Sequence, residues 1–251
     1  MEKIDLASRA ARLRREFGED ANSPIDIYAL SLMIPKLSIF FYPLGKRISG
    51  MCIKCDDSCV IAINSEMSKG RQRFSLSHEL YHWKYGGEDG TTICSVKLSA
   101  KNDNRVEQDA DRFASYLLMP VGSYEDKIEE ILKMKTTINR EDLVILEQRF
   151  GLSHQAMLWR LTNDGLITPA ENSMLKDGII STARNLGYDD TLYRPISTDK
   201  AERKVYGQYI QIAEELFKRE KISRGKYIEL LLDGFRSDIV YGDEEGDLID
   251  D

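Results

Sequence analysis

Apolar residues recur every three or four positions along most of the chain, and this spacing predicts a largely helical protein. The first predicted helix runs from Ile4 to Phe17. A second is expected to begin at the capping pair Ser23-Pro24 and to end before Pro35. Further along the chain, we expect a helix from Ser68 to Gly86 and another from Asn104 to Met119, separated by a polar connection.

Between positions 37 and 64 the pattern changes to short runs of β-branched and aromatic residues, which are typical of strands. These runs are Leu37–Leu44, Met51–Cys55 and Cys59–Asn64. The last two flank Asp56-Asp57-Ser58, whose composition is that of a hairpin loop. The sequence therefore predicts an α+β fold in which helices enclose a small antiparallel sheet.

More helices are expected after Pro120, with starts marked by the common N-cap residues Ser123, Asn139 and Ser153. Residues 188–196 read as a loop. A long helix from Thr198 to Lys221 and a shorter helix after Ser223 would then complete the folded part of the chain.

The stretch from Leu143 to Leu161 has the pattern of a helix-turn-helix: an amphipathic helix, a tight turn at Gly151 and a second helix capped by Ser153. Residues 141–167 carry four acidic and two basic side chains. This balance argues against direct DNA contact and favours a scaffold or docking role. His154, which follows the cap, is expected to be a surface or packing residue.

Composition narrows the class of protein. The 251 residues carry a net charge of −7, but the last ten residues hold six acids and no base, so the remainder is close to neutral. Broad binding to nucleic acid is therefore not expected. The longest apolar run is only five residues, and the N-terminus lacks the apolar segment of a secretory signal. We expect a cytoplasmic protein without membrane association, ending in a disordered acidic tail.

The most specific chemical motif is His78-Glu79-Leu80-Tyr81-His82 in the predicted helix after Ser68. Residues four apart lie on one face of a helix, so both imidazoles can bind one metal ion while Glu79 serves as general base. Given three histidines in the chain, this pattern arises by chance in roughly three of a thousand such sequences. The alternative is a helix that carries two ordinary polar histidines.

A catalytic zinc site needs a third protein ligand. The next helix offers Glu107, with Asp111 one turn later and small residues on the same face. Glu107 can be the third ligand, and Asp111 can accept a hydrogen bond from the outer nitrogen of a ligating histidine. The alternative is that both are solvated helix charges.

A second metal site is only weakly suggested by the four cysteines of the chain, Cys52, Cys55, Cys59 and Cys94. Cys52 and Cys55 are three apart on a predicted strand and point to opposite faces. We therefore expect reduced cysteines that share no ion.

Three stretches together resemble the ImmA/IrrE family of metallo-endopeptidases: RQRFSLSHELYH (71–82), EQDADRFASYLLMP (107–120) and LVILEQRFGLSHQAMLWRL (143–161). The resemblance covers residues 5 to 168. It implies a zincin-like fold of the gluzincin type, with zinc held by His78, His82 and Glu107 and with Glu79 as base. It also implies a substrate, an XRE-type helix-turn-helix repressor, in a mobile element, a stress response or a toxin–antitoxin module.

The resulting hypothesis is a zinc endopeptidase that cleaves a repressor and so derepresses its genes. We expect a metalloprotease domain at 1–122, a helix-turn-helix-like subdomain at 123–168, a helical extension at 169–241 and the acidic tail at 242–251. The alternative is a regulator without proteolytic activity that binds and titrates a repressor or DNA. The intact base Glu79 favours the enzyme, because binding alone needs no base.

Overall fold

The computed structural model describes residues 3–87, 90–95 and 105–242. These residues form twelve helices and five short strands. The helices are α1 (Lys3–Glu16), α2 (Ile27–Leu32), α3 (Lys69–Tyr85), α4 (Arg105–Leu118), α5 (Val121–Met134), α6 (Arg140–Phe150), α7 (His154–Asn163), α8 (Pro169–Leu175), α9 (Ile179–Asn185), α10 (Tyr209–Lys218), α11 (Arg224–Asp233) and α12 (Ser237–Tyr241). The strands are β1 (Leu37–Tyr42), β2 (Ile48–Cys55), β3 (Ser58–Asn64), β4 (Gly90–Ser95) and β5 (Lys204–Gly207).

The fold is α+β, as the sequence predicts, but the sheet is mixed and not antiparallel. Its strand order is β4-β2-β3-β1-β5. The predicted β2–β3 hairpin is antiparallel, whereas β1 pairs with β3 in parallel, with Phe41 opposite Ile63. The hairpin loop fixes only its own two strands, and packing of the apolar residues of β1 decides which edge β1 joins.

Two strands lie where the sequence predicted other structure. Strand β4 occupies part of the expected polar connection, and it pairs antiparallel with β2. The expected long helix from Thr198 to Lys221 is wrong: β5 extends the sheet beside β1, and α10 begins only at Tyr209. Gly207 ends β5 at a φ of 87°, where an added Cβ would lie 2.3 Å from the Leu37 carbonyl oxygen. This long-range pairing overrides local helix propensity.

The predicted helix starts are right in some places and wrong in others. Asn139 and Ser153 cap α6 and α7 with their side chains. Ser23 does not cap α2; Asp26 does so, by accepting hydrogen bonds from the backbone of Tyr28 and Ala29. Helix α5 begins at Val121 and not after Ser123, because Pro120 already provides the break between α4 and α5.

The candidate helix-turn-helix consists of α6 and α7, joined through Gly151 in the left-handed conformation. Arg160, one of the two basic residues in this region, is buried and donates to the Ser115 hydroxyl of α4. His154 is half-buried and bonds to the buried Glu147 carboxylate, 2.7 Å away. Helix α7 therefore packs into the core, and a helix-turn-helix function for this region stays a prediction.

The expected domain boundaries also stay a prediction. The structure adds that β5, from the expected C-terminal extension, lies in the same sheet as the strands of the expected metalloprotease domain. Within the described ranges, no helix has the length and apolar character needed to cross a membrane. The expected disordered tail lies outside the described residues, apart from Gly242.

Helix α3 is the centre of the molecule, between the sheet and α4. Its residues from Gly70 to His82 are almost all buried, including polar ones. Ala110 and Ala114 lie in the buried face of α4, and their small side chains allow α4 to approach α3 closely. Arg14 of α1 supports this arrangement, because its guanidinium is buried and donates to the Leu117 carbonyl in the last turn of α4, at 2.7 Å.

We predict that Arg14→Met destabilises the protein. Arg14 is 1% exposed and also donates to the backbone carbonyls of Asp20 and Ser23. Methionine keeps the apolar stem but leaves these acceptors without their donor, at a cost of about 2–4 kcal/mol in the free energy of unfolding. Urea denaturation measures the loss. The exposed neighbour provides the control, since Arg15→Met should change stability by less than about 0.5 kcal/mol. Equal midpoints for the two variants would contradict the assigned role.

Candidate metal centre

The histidine motif lies in the buried middle of α3. Ser68 caps the helix by accepting a hydrogen bond from the Arg71 backbone, so the helix is regular through the motif. Because His78 and His82 are one turn apart, their side chains project together, and their Nε2 atoms are 3.1 Å apart. Both imidazoles are buried.

Helix α4 brings a carboxylate to the same point. Glu107 Oε2 lies 3.2 Å from His78 Nε2, and Glu107 Oε1 lies 3.3 Å from His82 Nε2. Glu107 is in the first turn of α4, while Ala110 and Ala114 follow on the buried side. The small residues that the sequence analysis noted therefore permit the approach that brings the carboxylate between the two imidazoles.

Asp111 lies behind His78. Its Oδ1 atom is 2.8 Å from His78 Nδ1, so this nitrogen donates to the carboxylate and Nε2 is left facing Glu107. The buried Arg71 guanidinium is near enough to Asp111 to interact with its charge. The structure thus brings together the four residues predicted from sequence as ligands and supporting carboxylate.

Glu79 is fully buried beside this group. Among the described residues, neither of its carboxylate oxygens has a hydrogen-bond partner. Burial raises the pKa of Glu79, and the charges of His78 and His82 oppose this effect. Space for the carboxylate comes from Gly50 of β2, where a Cβ atom would lie only 2.7 Å from Glu79 Oε1.

The electrostatics of the cluster are those of a cation site. Burial disfavours the charged form of His78, but hydrogen bonds to Asp111, Cys94 and Glu107 raise its pKa well above the usual range. Burial likewise opposes ionisation of Glu107, yet hydrogen bonds from His78 and His82 lower the pKa of this carboxyl. The carboxylates beside His78 therefore stabilise positive charge on its imidazole.

Cys94 joins the site, and the sequence analysis did not place it there. One donor atom from each of His78, His82, Cys94 and Glu107 lies within 4.8 Å of the others. Burial raises the pKa of the Cys94 thiol to about 12. The residues before it, Thr91-Thr92-Ile93, are all β-branched, which favours a strand, but the strand's partner and register are not visible in the sequence.

The other cysteines lie apart from this group. Cys52 Sγ is 3.4 Å from Cys59 Sγ within the sheet, and Cys55 is exposed. All four cysteines are free in the structure, and the expected reduced state stays a prediction. We expected that no cysteine would share a metal ion. Cys94 instead lies close enough to His78, His82 and Glu107 to bind an ion together with them.

Arg73 precedes the motif and has a structural role. It donates to the carbonyl oxygens of Ile25 and Gly151, at 2.6 and 3.1 Å, and so ties α3 to the turn between α6 and α7. Tyr81 and Tyr85 pack against Phe113 of α4. These contacts hold α3 in place.

Comparison with known proteins identifies a family match. The model of a peptidase family, described as the IrrE N-terminal-like domain, matches residues 28–162. This range includes α3 and α4. One solved structure, described as a Mycobacterium tuberculosis transcriptional regulator, is 18% identical with a TM-score of 0.43. That similarity covers 63% of this chain and 46% of the regulator, so the chain spans less than half of its length. No curated protein matches the chain.

We predict a graded loss of metal affinity from substitutions at the carboxylates. Glu107→Ala removes one of the donor groups and should lower zinc affinity most. Asp111→Ala only frees the outer nitrogen of His78 and should lower affinity by about 10- to 100-fold. Competition with a chelator of known affinity measures both effects.

Asp111→Asn is the matched control, because its amide oxygen still accepts the hydrogen bond from His78 Nδ1. It should lose less affinity than Asp111→Ala. Wild-type affinity in Glu107→Ala would exclude this carboxylate as a ligand.

Proposed function

The chain belongs to the family of IrrE N-terminal-like peptidase domains, and from this premise we propose that it is a zinc-dependent endopeptidase. Its ligands are His78, His82 and Glu107, and its general base is Glu79. Its substrate is an XRE-type helix-turn-helix repressor, whose cleavage derepresses the genes under its control.

The spacing of the donor atoms supports zinc. Bonds of about 2.0–2.2 Å to nitrogen and oxygen place neighbouring ligand atoms of a tetrahedral zinc site about 3.3–3.6 Å apart. His78 Nε2 and His82 Nε2 are 3.1 Å apart, while Glu107 Oε2 lies 3.2 Å from His78 Nε2 and Glu107 Oε1 lies 3.3 Å from His82 Nε2. Two imidazoles and one carboxylate are also a donor set that catalytic zinc sites use. The residues present therefore fit this ion with little rearrangement.

The buried, unpartnered carboxylate of Glu79 is the observation that carries the enzymatic function. Burying a carboxylate without hydrogen bonds costs several kcal/mol, and such groups persist mainly where they are used. Glu79 is 0% exposed and lies beside the ligands without being one of the clustered donors. A module that only binds a repressor would gain nothing from this cost, so Glu79 favours the protease over the titrating regulator.

The chemistry follows from the position of this carboxylate. When bound, zinc supplies a Lewis acid that polarises a peptide carbonyl and lowers the pKa of water. Glu79 accepts a proton from the attacking water and then delivers it to the leaving amine nitrogen. The carboxyl carries that proton between the two transfers. Asp111 keeps His78 in one tautomer and orientation throughout.

Selection of a folded repressor needs more surface than a cleft provides, because specific interfaces usually bury about 1,200–2,000 Å². The helices after β5 offer such a surface. Ile212 and Leu216, one turn apart on α10, are 44% and 36% exposed, and Leu232 of α11 is similarly exposed. We assign docking of the repressor to this apolar surface of α10 and α11.

The central test is substitution of the base. Glu79→Gln should keep zinc, because residue 79 is not a ligand, but should reduce repressor cleavage to background, since the amide cannot accept the proton. Cleavage is followed by mass spectrometry of the products and metal content by elemental analysis. His82→Ala is the contrasting variant and should lose both zinc and activity. Cleavage by Glu79→Gln at the wild-type rate would exclude the mechanism.

A second test addresses docking. Ile212→Glu combined with Leu216→Glu should raise the KM for the intact repressor at least severalfold, because two charges would be placed in the proposed apolar contact. A short peptide that spans the cleaved bond provides the control. Its kcat/KM should not change, since a peptide needs only the cleft. An unchanged KM for the repressor would remove α10 from the docking role.

A further inference from the structure

Cys94 is placed beside the ligands by the geometry of the edge strand. It lies on β4, directly opposite Gly50 of β2. The register between these strands shifts at Ser49, whose hydroxyl donates to the Cys94 carbonyl oxygen at 3.3 Å. Bulges of this kind reorient side chains, and they are frequent next to active sites. The result is that Cys94 is 2% exposed, whereas its neighbour Ile93 is 60% exposed on the opposite face.

The thiol and the general base share the same small space. Gly50 lacks a side chain, and the Glu79 carboxylate occupies the room above it. Since Cys94 is the cross-strand neighbour of Gly50, its side chain lies next to that carboxylate, and the two groups interact electrostatically. The sulfur also lies within 4.8 Å of the donor nitrogen of His78. The thiol therefore lies between a proposed ligand and the proposed base.

The donor set in this region has four members. The sulfur of Cys94 is within 4.8 Å of the donor atoms of His78, His82 and Glu107. A sulfur and a nitrogen bound to the same tetrahedral zinc stand about 3.6 Å apart, so an approach of at most about 1.2 Å would complete the tetrahedron. The buried thiols of Cys52 and Cys59 provide a contrast, since they contact each other and are not among these donors.

We propose that the Cys94 thiolate is the fourth ligand of the metal and that it holds the zinc-loaded protein in a latent state. This inference rests on the proposed zinc site. As the sulfur binds, the thiol releases its proton to solvent, because a metal-bound cysteine is a thiolate. Zinc sites with four protein ligands are structural, whereas catalytic ones keep a position open. Glu79 then has no water beside it to deprotonate until the thiolate leaves.

The position of β4 in the sheet would allow the Cys94 thiolate to leave the metal. Strand β4 lies at one end of the sheet and pairs, within the described chain, only with β2. If β4 separated from β2, the backbone pairing among β2, β3, β1 and β5 would remain intact. The histidines and Glu107, in contrast, are held by the buried helices α3 and α4, so the sulfur is the ligand that can leave without disturbing the others.

Cobalt substitution tests the ligand directly, without any need for activity. The full-length protein loaded with Co²⁺ should show a thiolate-to-cobalt charge-transfer band in the near ultraviolet. Cys94→Ser should lose this band, and Cys52→Ser, a buried cysteine of the same sheet, should keep it. Zinc-edge X-ray absorption of the wild-type protein should show one sulfur at about 2.3 Å. Absence of both signals in metal-loaded wild-type protein would overturn the assignment, whether or not the Cys94 variant folds.

Latency is tested by the cleavage rate of the zinc-loaded protein. Cys94→Ala should cleave the repressor severalfold faster than wild type, while Cys52→Ala should match wild type. Equal rates for wild type and Cys94→Ala would show that the thiolate does not close the site. If neither protein cleaves but the cobalt band is present, the proposed protease function fails and the fourth ligand stands. If the proteins cleave the repressor but wild type shows no thiolate-to-cobalt band, the protease function stands and the proposal of a fourth ligand fails.

Discussion

The close approach of α3 and α4 is the constraint on which the remaining structure depends. One carboxylate, Glu107, must reach two imidazoles from a different helix, and it lies within 3.3 Å of both. Ala110 and Ala114, both buried on α4, contribute to this close approach because their side chains are small. Arg14 ties α1 to the end of α4, and Arg73 ties α3 to the turn before α7. These polar contacts far from the site thus help to position the two histidines and Glu107.

The same arrangement explains why so many polar groups are tolerated at the centre of the molecule. Gln72, which is fully buried, donates to the carbonyls of Ser65 and Met67 and so fixes the loop before α3. His78 is satisfied by Asp111. Glu79 differs from these residues, because its carboxylate lacks a hydrogen-bond partner in the described structure. Other buried polar atoms, such as Gln72 Oε1 and Glu147 Oε2, also lack a partner, but among the described residues Glu79 is the carboxylate that lacks one at both oxygens. The energetic cost of burying it therefore falls at the position where a base is useful.

The sequence was informative wherever the relevant spacing is local. Four-residue spacing on one helix predicted that His78 and His82 project together, and helix periodicity placed Glu107 and Asp111 on one face of the next helix. The β2–β3 hairpin was also predictable, because its loop is short. The parallel partner of β1, the strand β5 and the position of Cys94 depend on pairing between residues far apart in the chain. Such pairing cannot be predicted from the periodicity of apolar residues or from the composition of turns. Capping was predicted correctly at Asn139 and Ser153, where the cap is a side-chain oxygen, and incorrectly at Ser123, where a proline separates the helices.

The C-terminal segment contributes a strand to the sheet that also contains Cys94. Strand β5 lies at one end of the sheet and β4 at the other, so the sheet links the α10–α11 surface to the strand that carries Cys94. A zinc-edge anomalous difference map of crystals of the zinc-loaded protein tests the central claim most directly. The account predicts one strong peak about 2.0–2.2 Å from His78 Nε2, from His82 Nε2 and from a Glu107 oxygen. A zinc peak elsewhere, or Glu107 turned to solvent beside zinc bound by the two histidines, would contradict it.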